Sequence, residues 1–248
     1  MKSSSILNNR RITFLSWIVL IMGWYVLSFQ VHTSLILPSP LAVAKAWFQQ
    51  ASQFDTYVHI FHSLVRLFIA YGLSLLIALP MGFFSGKHEP VQSFFALFIG
   101  FVKTTPVLAI VVLAIIWLPS YGVPIFVSLL VMIPLIEGAV RQGVKDMDGK
   151  LLEMSHIYGV SRFKQFQCLY LPFLSNYLKT GSLMAIGIGF KAIIAAEVLA
   201  SPVHGIGTGL WQHKLYLETD HVMAWTIWAV FISLIIDYCF KTGSHKHD

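Results

Sequence analysis

The chain predicts an all-α, polytopic integral membrane protein, and three observations carry that prediction. Of its 248 residues, 56% are hydrophobic and only 11% charged, against roughly 25% charged in soluble domains. Its mean hydropathy is +0.73. Six segments, at roughly 12–30, 58–84, 91–118, 123–141, 177–200 and 221–240, are apolar enough to cross the hydrocarbon core, which takes about 20 residues of helix because no backbone group can go unpaired in lipid.

The first segment, Ile12 to Phe29, runs past signal-peptide length and lacks a small-x-small cleavage site before Gln30, so it is read as the first transmembrane helix. LPSPLAVAKAWFQQ (Leu37 to Gln50) is too short and interrupted to span. Its apolar Leu41, Ala44, Trp47 and Phe48 recur at helical spacing, which predicts an amphipathic helix lying along the outer surface. The remaining segments are joined by SGKHEP (Ser85 to Pro90), PSYG (Pro119 to Gly122), a polar stretch over 142–176, and SPVHGIGTGLWQHKLYLETD (Ser201 to Asp220). All of these are rich in turn-formers. With no Gly/Ser linker, low-complexity tract or internal repeat in view, residues 1–248 read as one transmembrane domain.

Charge placement sets the orientation. With a cytoplasmic N-terminus, Lys2, Arg10, Arg11, Lys87, Arg141, Lys145, Lys150, Arg162, Lys164, Lys179, Lys241 and Lys246 fall inside. Only Lys45 and Lys214 fall outside, while Arg66, Lys103 and Lys191 sit within helices. Twelve against two predicts both termini in the cytoplasm. It also accounts for the formal charge of +6 without nucleic acid. Cys168 and Cys239 both lie near that reducing side, which argues against a disulfide.

The polar stretch LLEMSHIYGVSRFKQFQCLYLPFLSNYLK (Leu151 to Lys179) holds a spaced pattern. Glu153-Met154-Ser155 is followed by three residues, Gly159, nine more residues, and Leu169-Tyr170-Leu171-Pro172. Gly159 permits a left-handed turn between two helices, and Pro172 cannot continue an i to i−4 ladder. The spacing resembles the EAA loop of ABC importer permeases, E-A-A-x3-G-x9-[IL]-x-L-P, with Met154 and Ser155 in place of the two alanines. LPSP (Leu37 to Pro40), HSLVRLFIAYG (His62 to Gly72) and the stretch Ile188 to Trp225 resemble the subgroup serving sulfonate, taurine, nitrate and thiamine-precursor import.

The resemblance implies a type I importer permease in the bacterial cytoplasmic membrane, working as a dimer of two permeases. ABC ATPase subunits would dock on the loop 142–176 through Leu152, Glu153, Met154, Ser155, Gly159, Leu171 and Pro172, and a periplasmic or lipid-anchored binding protein would deliver the solute. The chain has no G-x-x-x-x-G-K-[ST] phosphate loop, so ATP and magnesium are expected on the partner and no cofactor here. A secondary transporter or channel-like protein is the alternative, although such folds usually carry internal repeats. A membrane enzyme would need clustered catalytic groups.

Ionisable groups at bilayer depth usually face a cavity or a partner. Lys103 and Lys191 each lie about 12 residues past an inner helix start, or about 18 Å deep at 1.5 Å per residue. With Thr104, Thr105 and Pro106, whose ring interrupts the helix, they are candidates for the translocation path. Snorkelling, or pairing with a carboxylate, is the alternative for both lysines. Arg66 and Glu197 lie at matching depths toward the outer side, as an ion pair or a gate. Glu137 and Asp237 read as interfacial, His59 and His62 as lacking the carboxylate or cysteine a metal site needs, and SHKHD (Ser244 to Asp248) as a solvated tail.

Overall fold

The computed structural model describes residues 3–31 and 33–244, with side chains described over 12–31 and 33–239. Lys2, Arg10, Arg11, Lys241, Lys246 and the SHKHD tail therefore lie outside the described side chains. All regular elements among the described residues are helical: α1 (Ser3–Val31), α2 (Pro40–Ser52), α3 (Phe54–Lys87), α4 (Glu89–Thr104), α5 (Val107–Trp117), α6 (Gly122–Lys145), α7 (Gly149–Ile157), α8 (Arg162–Ala200), α9 (Ile206–Leu215) and α10 (Thr219–Ser244). Five of these, α1, α3, α6, α8 and α10, are each long and apolar enough to cross a membrane, and α4 with α5 passes the same test as a bent pair.

The core is the bundle of α3, α6 and α8. Leu67 from α3, Met132, Ile133 and Ile136 from α6, and Ile186, Phe190 and Ile193 from α8 are buried together. Lipid tails are as apolar as these side chains, so close backbone approach, rather than hydrophobic drive, holds such helices together. A Cβ at Gly82 would lie 2.8 Å from the Glu137 carbonyl oxygen, and one at Gly86 would lie 2.7 Å from Val144 Cγ1. Two glycines four residues apart on one face of α3 thus seat it against α6. On the opposite side of α6, Ser128 Oγ donates to the Gly189 carbonyl of α8 at 3.1 Å.

Several expectations change. The segment 91–118 is not one straight helix: α4 and α5 meet at 98° across Thr105 and Pro106, where the proline lacks the amide that would continue the ladder. The helix expected at 177–200 begins at Arg162. Pro172 does not restart the chain there, because a π turn over Phe166–Tyr170 carries the helix into it. α2 is rotated from the expected face. Val43, Ala46 and Gln50 are buried while Leu41, Ala44 and Phe48 are exposed, since α2 packs on α10 with Trp47 stacked on Trp228 at 4.9 Å and Gln50 Nε2 donating to the His221 carbonyl at 3.2 Å. The joint 201–220 contains α9. Glu137, near the end of α6, is buried, and Arg141 Nε donates to its carboxylate at 3.0 Å.

Overpacking a tight contact typically costs about 1–3 kcal/mol. Gly82→Val and Gly86→Val should therefore lower the thermal midpoint of the detergent-purified protein and reduce its monodisperse yield. Gly72→Val, on the same helix with nothing within 4 Å of the added Cβ, should leave both unchanged.

Candidate functional site

Three arrangements carry the polar chemistry of the bundle. The first is α7 and the turn after it. Asp148 caps α7, its carboxylate accepting from the Lys150 amide at 2.9 Å. At the far end Val160 N donates to Ser155 O at 2.9 Å and Gly159 N to His156 O at 3.0 Å, with Gly159 at φ +63°. This 6→1 and 5→2 pair closes the helix as a Schellman turn, which a left-handed glycine favours. Of the residues singled out in the sequence, Ser155 is buried and receives the Gln165 side-chain amide, whereas Glu153 and Met154 are exposed and Leu152 is half-buried. Leu152 and Glu153 line a recess of about 560 Å³ with His156, Ile157, Gln165 and Tyr170. Leu171 and Pro172 stand apart from it on α8, both exposed.

Missed by the sequence reading is Lys87, whose Nζ sits 4.3 Å from the ring centroids of both Phe83 and Tyr170. This double cation–π contact, on two rings that themselves meet edge to face at 5.1 Å, ties the end of α3 to the π turn of α8. Aromatics separated by over eighty residues give no local signal of it.

The second arrangement is a groove of about 700 Å³. Lys103 lines it from the last turn of α4, where a cation suits the negative end of the helix. Leu135, Gly138 and Gln142 of α6 and Asn176, Tyr177, Thr180 and Met184 of α8 form the other walls. Among the described residues no carboxylate lies in ion-pairing range of Lys103 or Lys191. Lys191 does not line this groove. It is exposed eleven residues beyond Thr180, on the α8 face that also exposes Met184 and Ile188, about 16 Å farther along at 1.5 Å per residue. The Thr104 and Thr105 hydroxyls turn back to their own helix, donating to Gly100 O at 3.0 Å and Phe101 O at 2.7 Å. Phe101 O also accepts from the Thr105 amide at 3.0 Å, so these hydroxyls reinforce the last turn of α4.

The third arrangement joins α3, α8 and α9 through a buried carboxylate. Arg66 Nη1 donates to Glu197 Oε1 at 2.6 Å, and Arg66 Nη2 to the His204 carbonyl at 2.7 Å. Ser63 Oγ, 2.8 Å from Oε1 and 2.9 Å from Oε2, donates to the same carboxylate, and the Gly207 amide donates to Oε2 at 3.0 Å. The Ile206 amide in turn donates to Ser63 Oγ at 2.9 Å. Every buried charge therefore has directed partners, the condition under which an ion pair survives loss of water. A Cβ at Gly205 would lie 2.7 Å from Glu197 Oε2, which explains why the backbone can close over the carboxylate only at glycine. The sequence signal for these partners was present in the alternating glycines of Gly205-Ile206-Gly207-Thr208-Gly209.

Removing one member of a buried, hydrogen-bonded pair costs roughly 3–5 kcal/mol. Arg66→Met and Glu197→Gln should each destabilise the folded protein on that scale, and the double variant should be less damaged than the sum of the singles. Additive losses in a double-mutant cycle of thermal unfolding would remove the pair from this account.

A family model described as binding-protein-dependent transport system inner membrane component matches residues 78–241. A probable ABC transporter permease protein of Brucella melitensis is 26% identical over 95% of this chain and 95% of its own length. The taurine transport system permease protein TauC of Escherichia coli is 25% identical over 91% of this chain and 82% of its own. Among solved structures, a chain from inward-facing conformations of the MetNI methionine ABC transporter superposes with a TM-score of 0.67, at 12% identity, covering 77% of this chain and 94% of that one. The fold is that of an ABC transporter permease, and the chain belongs to the family of inner membrane components of binding-protein-dependent transport systems.

Proposed function

We propose that this ABC importer permease subunit carries a small anion, of the sulfonate, taurine or nitrate type, along the groove between α4, α6 and α8. The observation that carries the reading is Lys103, an ammonium facing a groove of about 700 Å³ with no carboxylate among the described residues to neutralise it. A cation in such a low-dielectric wall attracts an anion far more strongly than it would in water. Lys191, farther along the exposed face of α8, extends the same positive track. Taurine, named for the Escherichia coli relative, carries a sulfonate that suits it.

Under the same proposal two copies of the chain pair to form the path, and both termini lie in the cytoplasm. A separate ATPase binds ATP and magnesium and grips the exposed α7. Leu151, Met154, Ile157 and Tyr158 present apolar surface there, beside the exposed Glu153. An externally held binding protein hands over the solute at the opposite end of the bundle. ATP-driven motion of α7 would reach the membrane core through the π turn and its contact with Lys87, biasing two arrangements of the helices.

Lys103→Gln and Lys191→Gln should each lower uptake of a labelled sulfonate at least about tenfold at saturating binding protein, with membrane expression and ATPase co-purification unchanged. Wild-type uptake by the double variant would turn the reading toward a neutral or cationic cargo such as a pyrimidine.

Gly159→Val forces a β-branched residue into the left-handed turn, and Glu153→Lys reverses the exposed charge. Both should abolish co-purification with the ATPase while leaving the permease in the membrane.

Orientation is tested by single cysteines in a Cys168→Ser, Cys239→Ser background. Thr208 is buried, so the exposed Val203 is the better outer reporter and the exposed Phe163 the inner one. Val203→Cys should react with an impermeant maleimide in intact cells, and Phe163→Cys only after permeabilisation. The reverse pattern contradicts the orientation.

A further inference from the structure

At the end of the bundle remote from α7, a cluster of side chains is left over once the ion pair is accounted for. In the sequence His59 and His62 lack the carboxylate or cysteine a metal site needs, but the fold brings a carboxylate and a further histidine to His59. Asp55, one helical turn before His59, places Oδ2 3.3 Å from His59 Nε2. His204 arrives from the connection between α8 and α9, its ring edge-on to His59 with centroids 5.3 Å apart. One ligand atom from each of Asp55, His59 and His204 lies within 4.8 Å of the others. His204 Nδ1 is buried and has no hydrogen-bond partner.

We propose that Asp55, His59 and His204 form a divalent transition-metal site of the zinc class. Two imidazole nitrogens and one carboxylate oxygen suit zinc and its neighbours rather than calcium or magnesium, which prefer all-oxygen shells. Ligand atoms bound at about 2.0–2.2 Å around zinc stand roughly 3.3–3.5 Å apart. Asp55 and His59 already have that separation, and His204 closes the remainder by a side-chain adjustment on a connection that is not helical.

Backbone at Gly205 prepares His59 for both states. Its amide donates to His59 Nδ1 at 3.0 Å and its carbonyl oxygen lies 2.8 Å from the same nitrogen. Without metal, Nδ1 accepts from the amide and Nε2–H faces Asp55. With metal, the proton sits on Nδ1 and donates to the carbonyl, which frees the Nε2 lone pair. A backbone carbonyl in that position is the usual outer support of a metal-bound histidine.

The consequence is mechanical as well as chemical. The His204 carbonyl accepts from Arg66, so a metal on the His204 ring would fix the connection that lies over the buried ion pair. Three protein ligands leave a fourth position, and the exposed carboxylate of Asp55 places it toward the surface, open to water or an incoming group. The proposal does not depend on the identity of the cargo.

The test uses the full chain purified in detergent, with His245 and His247 of the tail replaced by alanine so that they bind no metal. Zn2+ should bind with a stoichiometry of one per chain and raise the thermal midpoint, and Co2+ in its place should give the visible bands of tetrahedral coordination. Asp55→Asn and His204→Ala should each weaken Zn2+ by more than about tenfold and abolish the thermal shift. His62→Ala, whose ring stacks on His204 at 5.2 Å, should change affinity less than about threefold. Equal midpoints of the metal-free variants and parent separate loss of binding from loss of fold. Absence of saturable Zn2+ binding, or binding unchanged in either Asp55→Asn or His204→Ala, overturns the site.

Discussion

The buried carboxylate of Glu197 is the constraint around which the upper half of this molecule is arranged. A charge removed from water must be met on every side by donors of fixed direction. Here they come from Arg66 and Ser63 of α3 and from the backbone of α9. Meeting that requirement fixes the rotation of α3 against α8 and pulls the connection over 201–205 across the ends of both helices. It also dictates glycine at 205 and 207, where any side chain would strike Glu197. The opposite end has a looser fastening, the Lys87 ammonium against two rings. A worth of about 0.5–2 kcal/mol for such a contact suits a joint that must yield during transport.

Between these fastenings, glycine contacts bring α3 and α8 onto opposite sides of α6. That packing buries most of α6 and leaves one face of α8 without a neighbour. The α4–α5 break then sets Lys103 against that free face. In the importer reading, the groove is therefore a product of the packing: where α3, α6 and α8 seat tightly no path remains, and where α4 stops short one opens.

Much of this was legible in the sequence. Apolar runs of about 20 residues marked the crossings, because the demand for internal hydrogen bonding in lipid leaves so few options. The spacing from Glu153 through Gly159 marked an exposed helix and its turn, since only a left-handed residue closes a Schellman pair without strain. Matching depths of Arg66 and Glu197 anticipated their contact. The errors have a common physical source. Register around a helix axis depends on what packs against it, so where α2 meets α10 it buries Val43, Ala46 and Gln50 and leaves Leu41, Ala44 and Phe48 exposed. Pro172 looked like a stop because the π turn that absorbs it is invisible in a one-dimensional ladder. Asp55, His59 and His204 are separated by almost 150 positions, and nothing local announces that the chain brings them together.

The central claim, that the open face of α8 is a cationic path for anions, is tested most directly by chemistry within the groove. In a cysteine-free background, Thr180→Cys can be modified with methanethiosulfonate reagents of similar size and opposite charge. The account predicts faster reaction with the anionic reagent by about tenfold relative to free thiols in solution, and loss of that preference in Lys103→Gln. Equal rates, or a preference for the cationic reagent that Lys103→Gln leaves unchanged, would contradict it.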